Sequence, residues 1–398
     1  MPHPPVFLHV GFTNTGTTSL QRNFFAVRDD IFFAGEPYGE RGGIFTAIKS
    51  FEDFKFDAGY FEMQCRNLVY ARSDGRPVVV SDENLCDTPQ LYFGPYAAPR
   101  DIIGLRLQRF FPHAKIIFTI RDQRQYALSA YFNIKRNSAF FDHVTIPEFS
   151  IWLDAMLSRE RAQFMQNLDF MEMIRFYSVI FGRDNVCVLP LEMISVDGTD
   201  AYLHRLCNFM ELPFSQTQVA NYREICNRRM SKRRELVAEL LHDDRFSRFY
   251  ADLSEHMRPE GIDAFLDTGP RATVEMEAAD EEKIRRRVGL GNWLLSQEFD
   301  LDLSRYGYLM AADNDFTEQQ LTVAQQELEL HADIDRLMRV PSGQELIAQR
   351  QGGEIAQLRA LAMELMTVRQ SPVWRTVERL DRVRRFFLRG RSPASVPQ

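Results

Sequence analysis

Gly11 to Ser19 carry the clearest chemical signal in the chain. The segment reads G-F-T-N-T-G-T-T-S, with the outline G-x-x-x-x-G-T-T. Two glycines spaced this way let a backbone turn tightly and aim successive N–H groups, and the start of a helix, at an anion. The hydroxyls of Thr17, Thr18 and Ser19 add donors. A nucleoside-triphosphate loop would carry lysine at position 17. Threonine there, with no evident acidic partner for magnesium, leaves triphosphate chemistry weakly supported. The plain alternative is a Gly-Thr helix start that binds nothing.

A second set lies further along. Arg121 follows a run of apolar residues, and Ser129 stands eight residues later on a helical pattern. An arginine can fork onto a phosphate, and a hydroxyl on the following helix can add a donor. The competing role for Arg121 is an ion pair with Asp122 or another carboxylate. Ser81 to Asn84 and Glu192 are further polar residues placed just after apolar runs.

These groups need a scaffold that brings them to one edge. Four short runs, Val6 to Val10, Pro77 to Val80, Lys115 to Ile120 and Asn185 to Leu189, are rich in β-branched and aromatic residues and end in polar ones. They read as buried parallel strands. Helical patterns lie between and after them: Ile102 to Phe111, Ile151 to Phe181, Tyr202 to Leu241, and Val274 to Arg287. Gly289 and Gly291 are expected to interrupt the last of these, before a closing helix and loop from Gly291 to Tyr308. Strand and helix in alternation imply an α/β fold, a P-loop NTPase-like parallel sheet with helices on both faces. Ligands of such sheets bind beyond the carboxyl ends of the strands. Thr13 to Ser19, Ser81 to Asn84, Arg121 to Ser129 and Glu192 therefore read as one site.

Composition shifts near Asp313. Residues 1–312 are read as the α/β domain, 313–370 as a helical or coiled-coil extension, and 371–398 as a basic amphipathic helix and tail. The net charge of −7 gives no general case for nucleic acid. Five dispersed cysteines without metal-ligand spacing read as reduced thiols in a cytoplasmic protein. No secretory leader and no membrane span is expected.

Gly11 to Gln21 resembles the 5′-phosphosulfate loop of sulfotransferases that use 3′-phosphoadenosine 5′-phosphosulfate (PAPS). His9 to Gly11 with Thr15 to Gln21 is similar to the bacterial branch, whose loop typically reads K-T-G-T-T-S-L-Q. Arg121 to Ser129 resembles the family's 3′-phosphate motif. Weaker likenesses fall at Phe181 to Glu192, at Asn227 with Ser231, and at Gly291 to Tyr308. The resemblance spans roughly residues 5 to 310. It implies PAPS as co-substrate, bound by Gly11, Thr13, Asn14, Thr15, Gly16, Thr17, Thr18, Ser19, Arg121 and Ser129, with no metal. It also implies sulfuryl transfer to a hydroxyl.

Glu83, in a segment that resembles the branch's S-x-E, is the expected base, with Asp82 second. A helix-cap role for the acidic cluster stays open. The chain departs from the family at Asn14, where lysine is usual and is thought to stabilise the leaving phosphate. Asparagine brings no charge, so a non-catalytic PAPS-, PAP- or glycan-binding protein is the alternative. A P-loop kinase is the third reading. Arg22 and Arg285 to Arg287 are candidate replacement cations.

Bacterial relatives often modify carbohydrates, which implies a glycan or lipid-linked glycan acceptor. Aromatic residues Tyr60, Phe61, Tyr92, Phe93 and Tyr96 suit sugar rings or ordinary packing. The tail places seven arginines against Glu378 and Asp381. It suits an anionic membrane surface at its cytoplasmic face, packing on the domain, or a homodimer contact.

Overall fold

The computed structural model describes residues 4–35, 44–49, 58–86, 98–137, 146–158, 163–216, 222, 230–240, 266 and 268–311. The expected extension and tail lie outside the described residues, as do Tyr92, Phe93, Tyr96 and Asn227.

Five parallel strands form one sheet in the order β2-β3-β1-β4-β5. They are β1 (Val6–Gly11), β2 (Phe32–Phe33), β3 (Val78–Ser81), β4 (Lys115–Ile120) and β5 (Val186–Pro190). Four match the sequence reading. The fifth, β2, is a two-residue edge pairing Phe32 with Val78 and Phe33 with Val79, too short to show a period. Every residue of β1, β3 and β5 is buried, which is why these runs carry no polar alternation.

The labelled helices are α1 (Thr17–Leu20), α2 (Ile44–Lys49), α3 (Arg100–Phe110), α4 (Gln123–Asn137), α5 (Phe170–Phe181), α6 (Thr199–Met210) and α7 (Ala278–Phe299). From α1 the chain continues helically, in a wider turn, through Phe25. Phe7, Val79, Ile117 and Leu189 project from one sheet face onto Leu20, Phe24, Tyr202 and Leu206 of the α1 and α6 segments. Each such side chain, fully buried, contributes about 1.5–3 kcal/mol. On the other side Phe12, Phe118, Phe170 and Tyr177 form a chain of ring contacts.

Three helical expectations are corrected. The stretch Ile151 to Phe181 holds three helices, Phe149–Leu157, Gln163–Leu168 and α5. Asp169 separates the last two because its carboxylate accepts from Met171 N–H at 3.2 Å, an N-cap. The stretch Tyr202 to Leu241 also divides. α6 ends where Glu211 turns left-handed at φ 57°, and a new helix, Lys232–Leu240, begins after Ser231, whose Oγ accepts from Arg234 N–H at 3.1 Å. Gly289 and Gly291 do not interrupt α7. A Cβ on Gly289 would stand 2.7 Å from the backbone nitrogen of Ala311, so that glycine admits a close chain crossing.

The strand order reverses at β1. The chain lays β2 and β3 on one side of it, then β4 and β5 on the other. The crevice at such a reversal, beyond the strand carboxyl ends, is where open α/β sheets bind ligands. Gly11 to Ser19 leaves β1 at that place. Among the described residues no helix is long and apolar enough to cross a membrane.

Candidate functional site

The loop is shaped by left-handed residues. Gly16 has φ 85° and Asn14 φ 61°. A Cβ on Gly16 would meet Leu191 Cδ1 at 2.7 Å, a contact that the leucine side chain would have to yield, while the left-handed turn itself calls for glycine. Asparagine is among the few side-chain-bearing residues that adopt this backbone readily. Gly16 also begins α1 without a side-chain cap. Its carbonyl accepts from Ser19 N–H at 3.0 Å, so Ser19 is turned into the helix. The N–H groups of Thr17 and Thr18, with no intrahelical acceptor by geometry, are the donors such a loop offers to an anion.

A buried polar network floors the loop. Gln21 Nε2 donates to Ser81 Oγ at 3.1 Å, and Ser81 Oγ lies 2.6 Å from His9 Nδ1. The other ring nitrogen, Nε2, is 3.4 Å from Thr119 Oγ1, which donates to the Gly11 carbonyl at 3.1 Å. Donors and acceptors balance when Ser81 donates to Nδ1 and Nε2 carries the ring proton. Thr15 Oγ1 closes the network, 2.5 Å from Phe12 O and 2.6 Å from Thr119 Oγ1, and since each hydroxyl has one proton, one of the two donates to the other while the remaining one serves a loop carbonyl. The Thr15 hydroxyl therefore faces the sheet, and only its backbone can meet a ligand.

Burial pushes His9 down from 6.5 to about 3. The folded ring stays neutral across that window while the unfolded imidazole takes a proton. Stability from this group is thus complete above pH 6.5 and falls as the pH drops, by up to about 1.4 kcal/mol per pH unit. Urea unfolding between pH 7 and pH 4 should show that extra slope in the native chain relative to His9→Gln. Equal slopes would place the charged ring in the folded protein.

Asp82 takes the cap role weighed for the acidic cluster. Asp82 caps the short turn Glu83–Leu85, its Oδ1 accepting from Asn84 N–H at 3.0 Å. Its other oxygen takes Lys49 Nζ at 2.5 Å, with both side chains buried. Removing one partner of such a pair costs about 3–5 kcal/mol, so Asp82 is a structural group and not a base. Glu83 turns to the loop instead, and its Oε2 accepts from Thr17 Oγ1.

Arg121 and Ser129 also meet the loop. Arg121 Nη1 donates to the Asn14 carbonyl at 3.1 Å, and Ser129 Oγ is 3.4 Å from Asn14 Oδ1. Asn133, one turn beyond Ser129 on α4, donates from Nδ2 to Asn14 Oδ1 at 2.8 Å. The carboxylate of Asp122 goes to Arg124 at 3.1 Å. Burial raises the Glu192 carboxyl above its ordinary range. Its Oε1 accepts from Asp122 N–H at 3.0 Å and its Oε2 from Tyr308 OH at 2.8 Å. Glu192 therefore holds the turn after β4, one step back from the loop.

Two of the three replacement cations expected on α7 are engaged elsewhere. Arg285 and Arg286 each donate to Glu282 from Nε at 2.7 Å. Arg22 is exposed. Among the described residues, the cation hydrogen-bonded to Asn14 is Arg121. Of the expected aromatic residues, Tyr60 is 55% exposed, whereas Phe61 is buried against Phe110, ring centroids 4.6 Å apart. Ser231 Oγ donates to the Leu266 carbonyl. His9, Lys49, Thr119 and Asn133 were missed in the sequence. Only Asn133 had a signal there, its position four residues after Ser129 on one helical face.

No family model matches the chain, and no curated protein matches it. Solved structures to which it is similar include three sulfotransferases. A sulfotransferase from Alicyclobacillus acidocaldarius is 16% identical, with a TM-score of 0.44 over 77% of this chain and 100% of the other. The mouse sulfotransferase SULT7A1 complexed with PAP is 12% identical, with a TM-score of 0.40 over 75% and 90%. The sulfotransferase domain from the curacin biosynthetic pathway is 12% identical, with a TM-score of 0.33 over 56% and 79%.

Proposed function

We propose that this chain transfers a sulfuryl group from PAPS to a hydroxyl of a glycan or glycolipid. One observation carries the reading. Two segments far apart in the chain, the loop at Asn14 and the motif at Arg121 and Ser129, meet through hydrogen bonds across 107 and 115 residues. A nucleotide with anionic groups at both its 3′ and 5′ ends needs two such donor sets held at one fixed separation. Thr17 in place of a lysine weighs against a triphosphate in the same loop.

The residues divide the chemistry between them. The N–H groups of Thr17 and Thr18 and the Thr18 hydroxyl hold the sulfonate and 5′-phosphate oxygens, the Thr17 hydroxyl being turned to Glu83, and Arg121 with Ser129 holds the 3′-phosphate. Glu83 takes the proton of the acceptor hydroxyl as its oxygen bonds to sulfur. The bond from sulfur to the phosphate oxygen breaks in line, leaving a sulfate ester and adenosine 3′,5′-bisphosphate. Asn14 Oδ1 faces Asn133, so its Nδ2 is the end that can donate to the departing oxygen. That donor is neutral, worth about 0.5–1.5 kcal/mol against roughly 1.5–3 for a charged one. The step is slower by about tenfold for each 1.4 kcal/mol lost, a deficit that the remaining donors can carry.

Calorimetry of the full chain with adenosine 3′,5′-bisphosphate should show stoichiometric binding. Labelled sulfate should then pass from PAPS to cell-envelope glycans. A folded chain that does not bind the bisphosphate overturns the reading. Binding without transfer to any glycan makes the chain a nucleotide-binding protein.

A further inference from the structure

The contact between Asn133 and Asn14 sets a constraint that the transfer chemistry does not use. Arg136 Nη2 donates to Asn133 Oδ1 at 2.9 Å. A guanidinium can only donate, so this contact fixes which end of the Asn133 amide is oxygen. Nδ2 must then face Asn14, whose Oδ1 accepts from it at 2.8 Å. Ser129 shares that acceptor at 3.4 Å, and Arg121 holds the carbonyl of the same residue. Asn14 is thus the one loop residue gripped from β4's end and from two positions of α4. A lysine at 14 has no oxygen on its side chain and could not be held this way.

We propose that Asn133 is a positioning residue that acts through Asn14, setting the distance between the 5′ anion loop and the Arg121–Ser129 pair and so selecting nucleotides with anionic groups at both ends. This rests on the reading of the site as one for a 3′,5′-bisphosphate nucleotide. The selection follows from geometry. A ligand held at one end tolerates a loop that shifts against α4. A ligand held at both ends gains from the second contact only while the two donor sets keep their separation. Ser129 has a single proton, and when a phosphate oxygen takes it, the shorter Asn133 bond still keeps Asn14 in place. The seat of the loop therefore does not depend on which acceptor Ser129 uses.

The test is a double-mutant cycle read by calorimetry with two probes, adenosine 3′,5′-bisphosphate and adenosine 5′-phosphate. Asn133→Ala should weaken the bisphosphate by about tenfold, the upper range for one neutral hydrogen bond, and the monophosphate by less than about twofold. Asn14→Ala should lose the same tenfold on the bisphosphate and, with its Nδ2 donor to the 5′ oxygen gone, up to about threefold more on both probes. The double variant should bind the bisphosphate as Asn14→Ala does, because both changes break one link, where independent effects would multiply to a further loss of about tenfold. That further loss, an unchanged single variant, or equal weakening of both probes by Asn133→Ala overturns the proposal and leaves the functional reading standing. A native chain that binds neither probe overturns both. The monophosphate affinity and the melting temperature of each variant report that its loop is still folded.

Discussion

Replacing Glu83 by glutamine should lower sulfuryl transfer by about 10²–10⁴-fold, the usual contribution of a general base. The affinity for adenosine 3′,5′-bisphosphate should stay within about threefold, since the amide keeps the carboxylate's shape and can still accept from Thr17. The two expectations separate because of what Glu83 touches. Its Oε2 accepts from Thr17 Oγ1, and a glutamine Oε1 can do the same, so the loop keeps its seat. Basicity is what the change removes. Asp82 cannot take over, because its carboxylate is spent on Lys49 and on the Asn84 N–H. The backbone enforces the same division. His9 pairs with Ser81 in register across β1 and β3, and Asp82 N–H donates to the His9 carbonyl at 3.1 Å, so the residue after Asp82 emerges beside the loop. Unchanged turnover in the variant would remove the base assignment. A parallel loss of bisphosphate affinity would make Glu83 a brace for Thr17.

Glu83 and the loop were legible in the sequence for different reasons. Gly11 to Ser19 is a local motif. Its spacing alone requires a turn between strand and helix, and the two glycines fall at the φ 140° and φ 85° positions that need them. The four longer strands were legible because a strand buried on both faces must be apolar throughout and must end where the chain meets solvent. Glu83 could be placed at the edge by the end of β3, but not assigned between cap and base. Which acid is the cap depends on Lys49, 33 residues before Asp82, whose own position follows from α2 and not from any pattern near Asp82. The network under the loop was illegible for the same reason. Ser81 read as part of the polar edge, His9 as part of the motif resemblance and Thr119 as a strand residue, and only the parallel register lines them up. Glycines in α7 were misread because a helix breaker and a close crossing carry the same letter, and the crossing partner, Ala311, lies 22 residues beyond Gly289. Asn14 was read as a missing charge. The structure adds that it is a held residue, accepting from α4 in a left-handed backbone that suits asparagine.

Arg121→Ala should weaken adenosine 3′,5′-bisphosphate by about a hundredfold, within the roughly 2–5 kcal/mol that truncating a hydrogen-bonded charge costs. Adenosine 5′-phosphate should weaken by less than about threefold, which is 0.7 kcal/mol or less. Arg121 is placed for this by the end of β4, where Ile120 pairs with Pro190 and the next N–H, that of Asp122, is held by Glu192 at 3.0 Å. Arg124 draws the Asp122 carboxylate to itself and anchors on the Gly307 carbonyl at 2.6 Å, so the adjacent acid is turned to Arg124. Arg121→Lys should recover only part of the loss, because an ammonium cannot make the forked contact of a guanidinium. The split between the two probes decides the role. Arg121 also grips the Asn14 carbonyl at 3.1 Å, and if that grip were its whole function, both nucleotides would weaken together as the loop loosened. A loss confined to the bisphosphate means that the guanidinium reads the 3′ end directly, which the contact with Asn14 leaves it able to do, since one Nη holds the loop and the opposite edge of the fork still carries N–H donors.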